Sequence, residues 1–229
     1  MILIQTKMTK TKLSYAESIT LQLFETVEKN NLIVPGKSEA QLSREVTKLA
    51  LEKFGIDNHW HKKIVRTGVN TLATYPQNPA DRIIQEDDIL FIDFGPIIDG
   101  FEADLGRTYV MGNDPIKLKL KTDVESAWYE IQAWIKQHTS LKASEIFQYA
   151  VDKAKAYGYE FGGEIAGHIV GKFPHEQPVD PKCLELDIHP DNPNDIFLLT
   201  PDGEERHWIL ELQFIDRERQ IGSYFEQLI

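Results

Sequence analysis

The sequence predicts an α+β fold built from two halves of similar layout, roughly residues 14–115 and 116–229. Two observations lead to it. Each half begins with two stretches whose apolar residues recur at helical spacing, and each ends in short apolar runs of strand length. Between the runs of the first half lies an Asp-Gly dipeptide, a strong short-range hairpin signal. No residue-level repeat relates the halves. We therefore expect residues 1–229 to form one domain.

Residues 14–30 read as an amphipathic helix carrying Ile19, Leu21, Leu23, Phe24 and Val27. Pro35-Gly36 breaks it, and Ser38 with Gln41 has the form of a capping box opening a second helix that runs to Phe54, where Gly55 ends it. Residues 64–75 read as mixed and loop-like. Residues 89–94 and 101–111 are strand-like runs around the turn Ile98-Asp99-Gly100. Asp114-Pro115 closes the first half. A third helix is predicted over 118–138 and a fourth over 143–157, with Trp128 and Trp134 as helix packing. A Gly-rich turn (157–171), a polar excursion (178–195) and two late strands (208–214 and 222–229) follow.

Composition narrows the function. With 41% hydrophobic and 27% charged residues the chain reads as an ordinary globular protein. A formal net charge of −11 argues against nucleic acid as a partner, since phosphate binding needs a basic surface. No apolar run approaches the ~18 residues of a membrane span. The single cysteine, Cys183, excludes an intrachain disulfide and lacks a cysteine-protease signature. A reducing compartment, the cytoplasm, is the expectation.

The chemistry-bearing residues are acids set in apolar runs. Asp93 lies within Ile89-Leu90-Phe91-Ile92-Asp93-Phe94, where a charge is costly unless paired or bound to a cation. Asp104 follows eleven residues later on the return strand. A two-residue turn pairs residues whose numbers sum to 197 or to 199, and either register puts both aspartates on one face. A cation or a shared proton must then compensate them; Arg107 is the alternative partner for one of them. Glu211 and Glu226 repeat the pattern in the late strands. His168 is flanked by Gly167 and precedes His175 by seven residues. Asp93, Glu211 and Glu226, three acids inside apolar runs, make a shared cationic partner the economical explanation. His59-Trp60-His61 has the look of a metal motif, but no nearby acid or cysteine completes a site, and it is assigned to a substrate-facing or surface loop.

Asp93-Phe94-Gly95, then Ala103-Asp104-Leu105-Gly106-Arg107-Thr108, then Gly167-His168 with His175-Glu176-Gln177-Pro178, then two strand glutamates, resembles the pita-bread metallopeptidases. These include methionine aminopeptidase, aminopeptidase P, prolidase and creatinase. The resemblance covers 14–229, the catalytic domain alone, and implies a curved antiparallel sheet between pseudo-symmetric halves. It also implies two divalent metal ions (Mn, Co, Fe or Zn). Asp93 would chelate one, Asp104 and Glu226 bridge both, and His168 and Glu211 complete the other. Glu211 would be the general base, and His175 would contact the substrate carbonyl.

Three departures from the pattern bear on substrate. Tyr75 stands where many relatives have a histidine, Gly106 replaces a threonine, and Tyr224 replaces the arginine of the proline-specific members. Tyr75, His175 and Tyr224 are the expected substrate-binding residues. The function expected is an aminopeptidase or Xaa-Pro-type peptidase acting on short peptides. The alternatives are creatinase-like hydrolysis of a small non-peptide C–N bond and an inactive binding protein with the same fold. A homodimer is compatible with the sequence, although no segment identifies its interface.

Overall fold

The computed structural model describes residues 2–178 and 183–229. Helix α1 (Ile2–Lys29) begins well before the predicted residue 14, because no glycine or proline in the lysine-bearing start breaks a helix. Helix α2 (Glu39–Phe54) is capped by Ser38, whose hydroxyl accepts from the Gln41 N–H at 3.1 Å. Only that half of the capping box forms, since the Gln41 side chain turns to Glu45. The stretch read as a loop over 64–75 instead holds strand β1 (Ile64–Thr67) and a 3-10 turn (Gly68–Leu72). All four β1 residues are buried, Arg66 among them, so the mixed polarity that obscured the strand reflects a buried arginine.

Strand β2 (Ile89–Phe94) forms as expected. The predicted return strand is broken into β4 (Phe101–Glu102), which pairs β3 (Ile97–Ile98), and β5 (Leu105–Val110), which pairs β2. Asp99 and Gly100 sit at φ 52° and 78°, the backbone that a two-residue hairpin turn demands. Residues summing to 199 are paired throughout, from Ile98↔Phe101 to Ile89↔Val110. Asp93 thus faces Gly106, and Asp104 lies in the break just before β5.

Asp114 does more than close the first half. It caps helix α3 (Pro115–Ile135), accepting from the Ile116 N–H at 2.8 Å with Pro115 at the helix start. Helix α4 (Ala143–Tyr157) has the predicted bounds. The Gly-rich turn contains two short strands, β6 (Glu160–Phe161) and β7 (Ile169–Val170). The late strands are β8 (His207–Asp216) and β9 (Ile221–Leu228). Of the polar excursion, residues 179–182 lie outside the described residues.

The main sheet runs β1-β2-β5-β9-β8-β6, with β7 also on β8, and every pairing is antiparallel. One core packs α1 and α2 on the strands of the first half; the other packs α3 and α4 on β8 and β9. The β5–β9 contact joins them where Gly106 meets Glu226. Trp128 of α3, wholly buried, donates its indole N–H to the Leu210 carbonyl at 2.7 Å and so fixes β8 beside Glu211. Trp128→Phe leaves that carbonyl without this donor. It should cost about 1–3 kcal/mol of stability, read as a lower urea midpoint at unchanged slope.

Candidate active site

The strands place four carboxylates at the centre of the sheet. Asp93 is the last residue but one of β2 and Asp104 precedes β5, so the 199 register makes them diagonal neighbours on one face. Glu211 and Glu226 are directly opposite across β8 and β9. Asp93, Asp104 and Glu226 are buried, at 5%, 3% and 1% exposure, and Glu211 is partly open to the cavity. His168 is held by strand pairing on both sides, through its bridge to Asp187 and through the Ile209 N–H, which donates to its carbonyl at 2.8 Å. Its Nε2 lies 3.4 Å from Asp104 and 3.8 Å from Glu226. All five predicted ligands line one cavity of about 440 Å³.

Arg107 is not the partner of either aspartate. It donates to the Glu226 carbonyl at 2.7 Å and lies 3.9 Å over the Phe225 ring, leaving the acids without it. Two carboxylate oxygens, Asp93 Oδ1 and Glu226 Oε2, are buried with no hydrogen-bond partner. Burial pushes the Asp93 and Glu226 carboxyls up, and the neighbouring acids push them further. Burial also raises Glu211. Burial opposes ionisation of Asp104 too, but His61 and His168 outweigh it and hold that carboxyl below the usual range. Conversely, burial would lower His168, and Asp104 with Glu226 reverses that. An excess of buried acid with unpaired oxygens is what a set of cation ligands looks like without its cation. These residues fit divalent metal.

His175 stands apart from the acids on the cavity wall. Glu102, its side chain wholly buried, accepts from His175 Nδ1 at 2.8 Å, and also from the backbone N–H groups of His175 and Gly171. The Nδ1 proton is thereby fixed on the Glu102 side, which leaves Nε2 for the cavity. The sequence reading missed Glu102; its only signal was an acid within the Phe101-Glu102-Ala103 run. Tyr75 sits at the rim, 53% exposed, its ring 6.1 Å from that of His61. Its loop is tied down by Arg66, which donates to the Thr74 and Gln77 carbonyls at 2.9 Å, and by Lys62.

The placing of His59-Trp60-His61 in a substrate-facing or surface loop is corrected in part. The His61 side chain is 6% exposed, and its Nε2 lies 3.0 Å from Asp104 and 3.6 Å from Asp93. Two acids far from it in sequence, Asp93 and Asp104, are brought to it in space by the hairpin. His59 packs elsewhere, edge-on to Phe94. Trp60 contacts the rings of His61, His168 and His175 at 4.6, 5.3 and 5.5 Å.

Residues 11–214 match metallopeptidase family M24. The chain belongs to that family. It is 29% identical over 154 residues to a putative Xaa-Pro aminopeptidase of Mycoplasma genitalium, covering 66% of this chain and 43% of that protein. It is 32% identical over 114 residues to a methionine aminopeptidase of Aquifex aeolicus, covering 49% and 43%. The alignment thus spans less than half the length of either relative. The fold is that of the prolidase from Thermococcus sibiricus, with a TM-score of 0.73 at 23% identity over 97% of this chain and 57% of that one. The pita-bread architecture and the membership inferred from the motifs are therefore correct. No described helix is long and apolar enough to cross a membrane.

Within this M24 chain two of the three departures prove to be one. A Cβ on Gly106 would lie 2.4 Å from the Tyr224 ring, so the absent side chain at 106 is what admits the tyrosine. That ring stacks on Phe91, with centroids 5.0 Å apart, and its hydroxyl donates to Glu211. Thr108 holds the Tyr224 backbone from both sides, donating to its carbonyl at 2.8 Å and accepting its N–H at 2.7 Å. Gly106→Ala should therefore cost about 1–3 kcal/mol by overpacking, and Tyr224→Ala in the same chain should recover most of it. A double-mutant cycle by chemical denaturation measures the coupling, and additive effects would refute it.

Proposed function

We propose that this chain is a dinuclear metal-dependent aminopeptidase or Xaa-Pro-type peptidase acting on short peptides, with residues 1–229 working as one catalytic domain. The observation that carries the reading is the set of buried, unpaired carboxylate oxygens converging on one cavity in an M24 chain. The proposed ligands are Asp93, Asp104, His168, Glu211 and Glu226. Two divalent ions held by them would acidify a water and polarise the scissile carbonyl. Manganese is our choice for the native metal, since the set is mostly oxygen.

The protein groups divide the remaining tasks. Glu211 takes the proton of the attacking water, and the Tyr224 hydroxyl bonded to it fixes its rotamer and gives it a donor. His175 presents Nε2 to the substrate carbonyl, oriented by Glu102. Tyr75 and Tyr224 bound the space available to the substrate. Among the described lining residues the only arginine or lysine is Arg66, and its guanidinium is committed to main-chain carbonyls. Glu164 and Asp187 add acid to the wall. That lining suits the cationic N-terminus of a peptide better than the carboxylate end of a dipeptide, which favours aminopeptidase over dipeptidase action. The single cysteine supports a cytoplasmic setting.

Elemental analysis together with hydrolysis of Met-Xaa and Xaa-Pro peptides in Mn²⁺ or Co²⁺ tests the proposal. Two metals per chain with turnover are expected, and Asp104→Ala or Glu226→Ala should abolish dinuclear binding. Metal with no turnover on any peptide would select the creatinase-like or binding alternative. His175→Ala should retain both metals while turnover falls roughly 10²–10⁴-fold. Glu102→Gln should lower kcat with little change in KM, as expected of a group that positions His175 without touching the substrate. Loss of metal in either variant would assign His175 to the ligand set instead.

A further inference from the structure

Residues 58–61 lie antiparallel along 95–97. The Trp60 N–H donates to the Gly95 carbonyl at 2.9 Å, the Ile97 N–H donates to the Asn58 carbonyl at 3.0 Å, and His59 bridges Pro96. This pairing brings His61 over the one residue of the Asp93-Phe94-Gly95 run that has no side chain. A Cβ on Gly95 would lie 2.2 Å from His61 Nε2 and 2.5 Å from Trp60 Nε1. Gly95 is therefore the opening through which an extra imidazole reaches the acids.

The orientation of that imidazole repeats the one His168 adopts. His61 Nδ1 lies 2.7 Å from the Lys62 carbonyl, and His168 Nδ1 lies 3.0 Å from the Ile169 carbonyl. A carbonyl only accepts, so both Nδ1 atoms carry a proton, and each ring turns its Nε2 inward, where loss of the Nε2 proton to an arriving cation would expose a lone pair. His61 Nε2 faces Asp104 Oδ1 and Asp93 Oδ1; His168 Nε2 faces Asp104 Oδ2 and Glu226 Oε1. Asp104 is bracketed by the two rings, one at each oxygen. His61, Asp93 and Asp104 bring donor atoms within 4.8 Å of one another, as do Asp104, His168 and Glu226. The Asp93 oxygen turned toward His61 is one of the two without a partner.

We propose that His61 is a metal-binding side chain, giving the Asp93–Asp104 position an imidazole just as His168 gives one to the Asp104–Glu226 position. Each ion is then held by one nitrogen as well as by carboxylate oxygens. The proposal rests on the dinuclear reading above and adds a sixth ligand to it. An imidazole favours Zn²⁺ or Co²⁺ more than Mn²⁺, so its loss should be felt unequally among metals.

The test is calorimetric titration of the metal-free full chain with Zn²⁺ and with Mn²⁺, comparing wild type with His61→Gln at matched circular dichroism. Expected are two sites in the wild type. In the variant one site should weaken at least about 100-fold for Zn²⁺, the upper end of what losing an outer partner costs, and less for Mn²⁺. Proton NMR of the Co²⁺-loaded wild type gives a second reading that needs no His61 variant. Two exchangeable, paramagnetically shifted imidazole N–H signals are expected, one of which His168→Gln removes; a single signal would refute the proposal. Unchanged Zn²⁺ affinity at both sites in His61→Gln would overturn it. So would a variant that takes up more metal than wild type, because His61 would then be a cation occupying the metal's place. A wild-type protein that binds no metal would overturn this inference and the proposed function together, whereas two wild-type sites indifferent to His61 would overturn the inference alone.

Discussion

Four carboxylates brought together in the middle of a sheet repel one another, and the rest of the site is arranged around that repulsion. Glu211 and Glu226 are a directly opposed cross-strand pair, an arrangement that normally destabilises a sheet. Asp93 and Asp104 add two more negative groups on the facing strands. Burial keeps water from screening them, and the nearest arginine of β5 turns its guanidinium to a carbonyl and a ring. Among the described residues, imidazoles approach Asp104 at both oxygens and the Tyr224 hydroxyl donates to Glu211. The sheet is stable in this register because α1 and α2 pack on one half and α3 and α4 on the other, so apolar burial offsets the local cost.

Two glycines on adjacent strands make space for two rings. Gly106 of β5 admits the ring of Tyr224, and Gly95 just beyond β2 admits His61. A departure from a family pattern at one position is easily taken as loss. Here the missing threonine side chain and the added tyrosine form one packed unit, with the tyrosine hydroxyl on Glu211. The site has been reshaped about its acids. Trp60, in contact with three histidine rings, then acts as the wall against which the imidazoles are set.

Much of the architecture was legible because it is written in local patterns. The α2 cap, the Asp99-Gly100 turn, α4 and the late strands all depend on residues within a few positions of one another. Strand β1 was not legible, since Arg66 is buried there by carbonyls of the loop that follows, 8 and 11 residues on, an arrangement that no polarity pattern announces. The early start of α1 escaped because residues 5–12 are mostly polar, and apolar periodicity is silent there.

The sequence by itself determined which residue types the site contains, because an acid in the middle of an apolar strand is anomalous wherever it occurs. Asp93, Glu211 and Glu226 are visible on that ground and Asp104 by its spacing from Asp93, and with the histidines their order along the chain suffices to suggest the family. Only the tertiary structure decided which of two hairpin registers holds, that Arg107 faces away from the acids, that Glu102 orients His175, and that His61 joins the cluster. The last three rest on contacts between segments far apart in sequence: Arg107 and Glu226 are 119 residues apart, His61 and Asp104 are 43, and Glu102 and His175 are 73. Periodicity reports which face a residue lies on, whereas the identity of its neighbour across that face is set by how the strands and their loops pack.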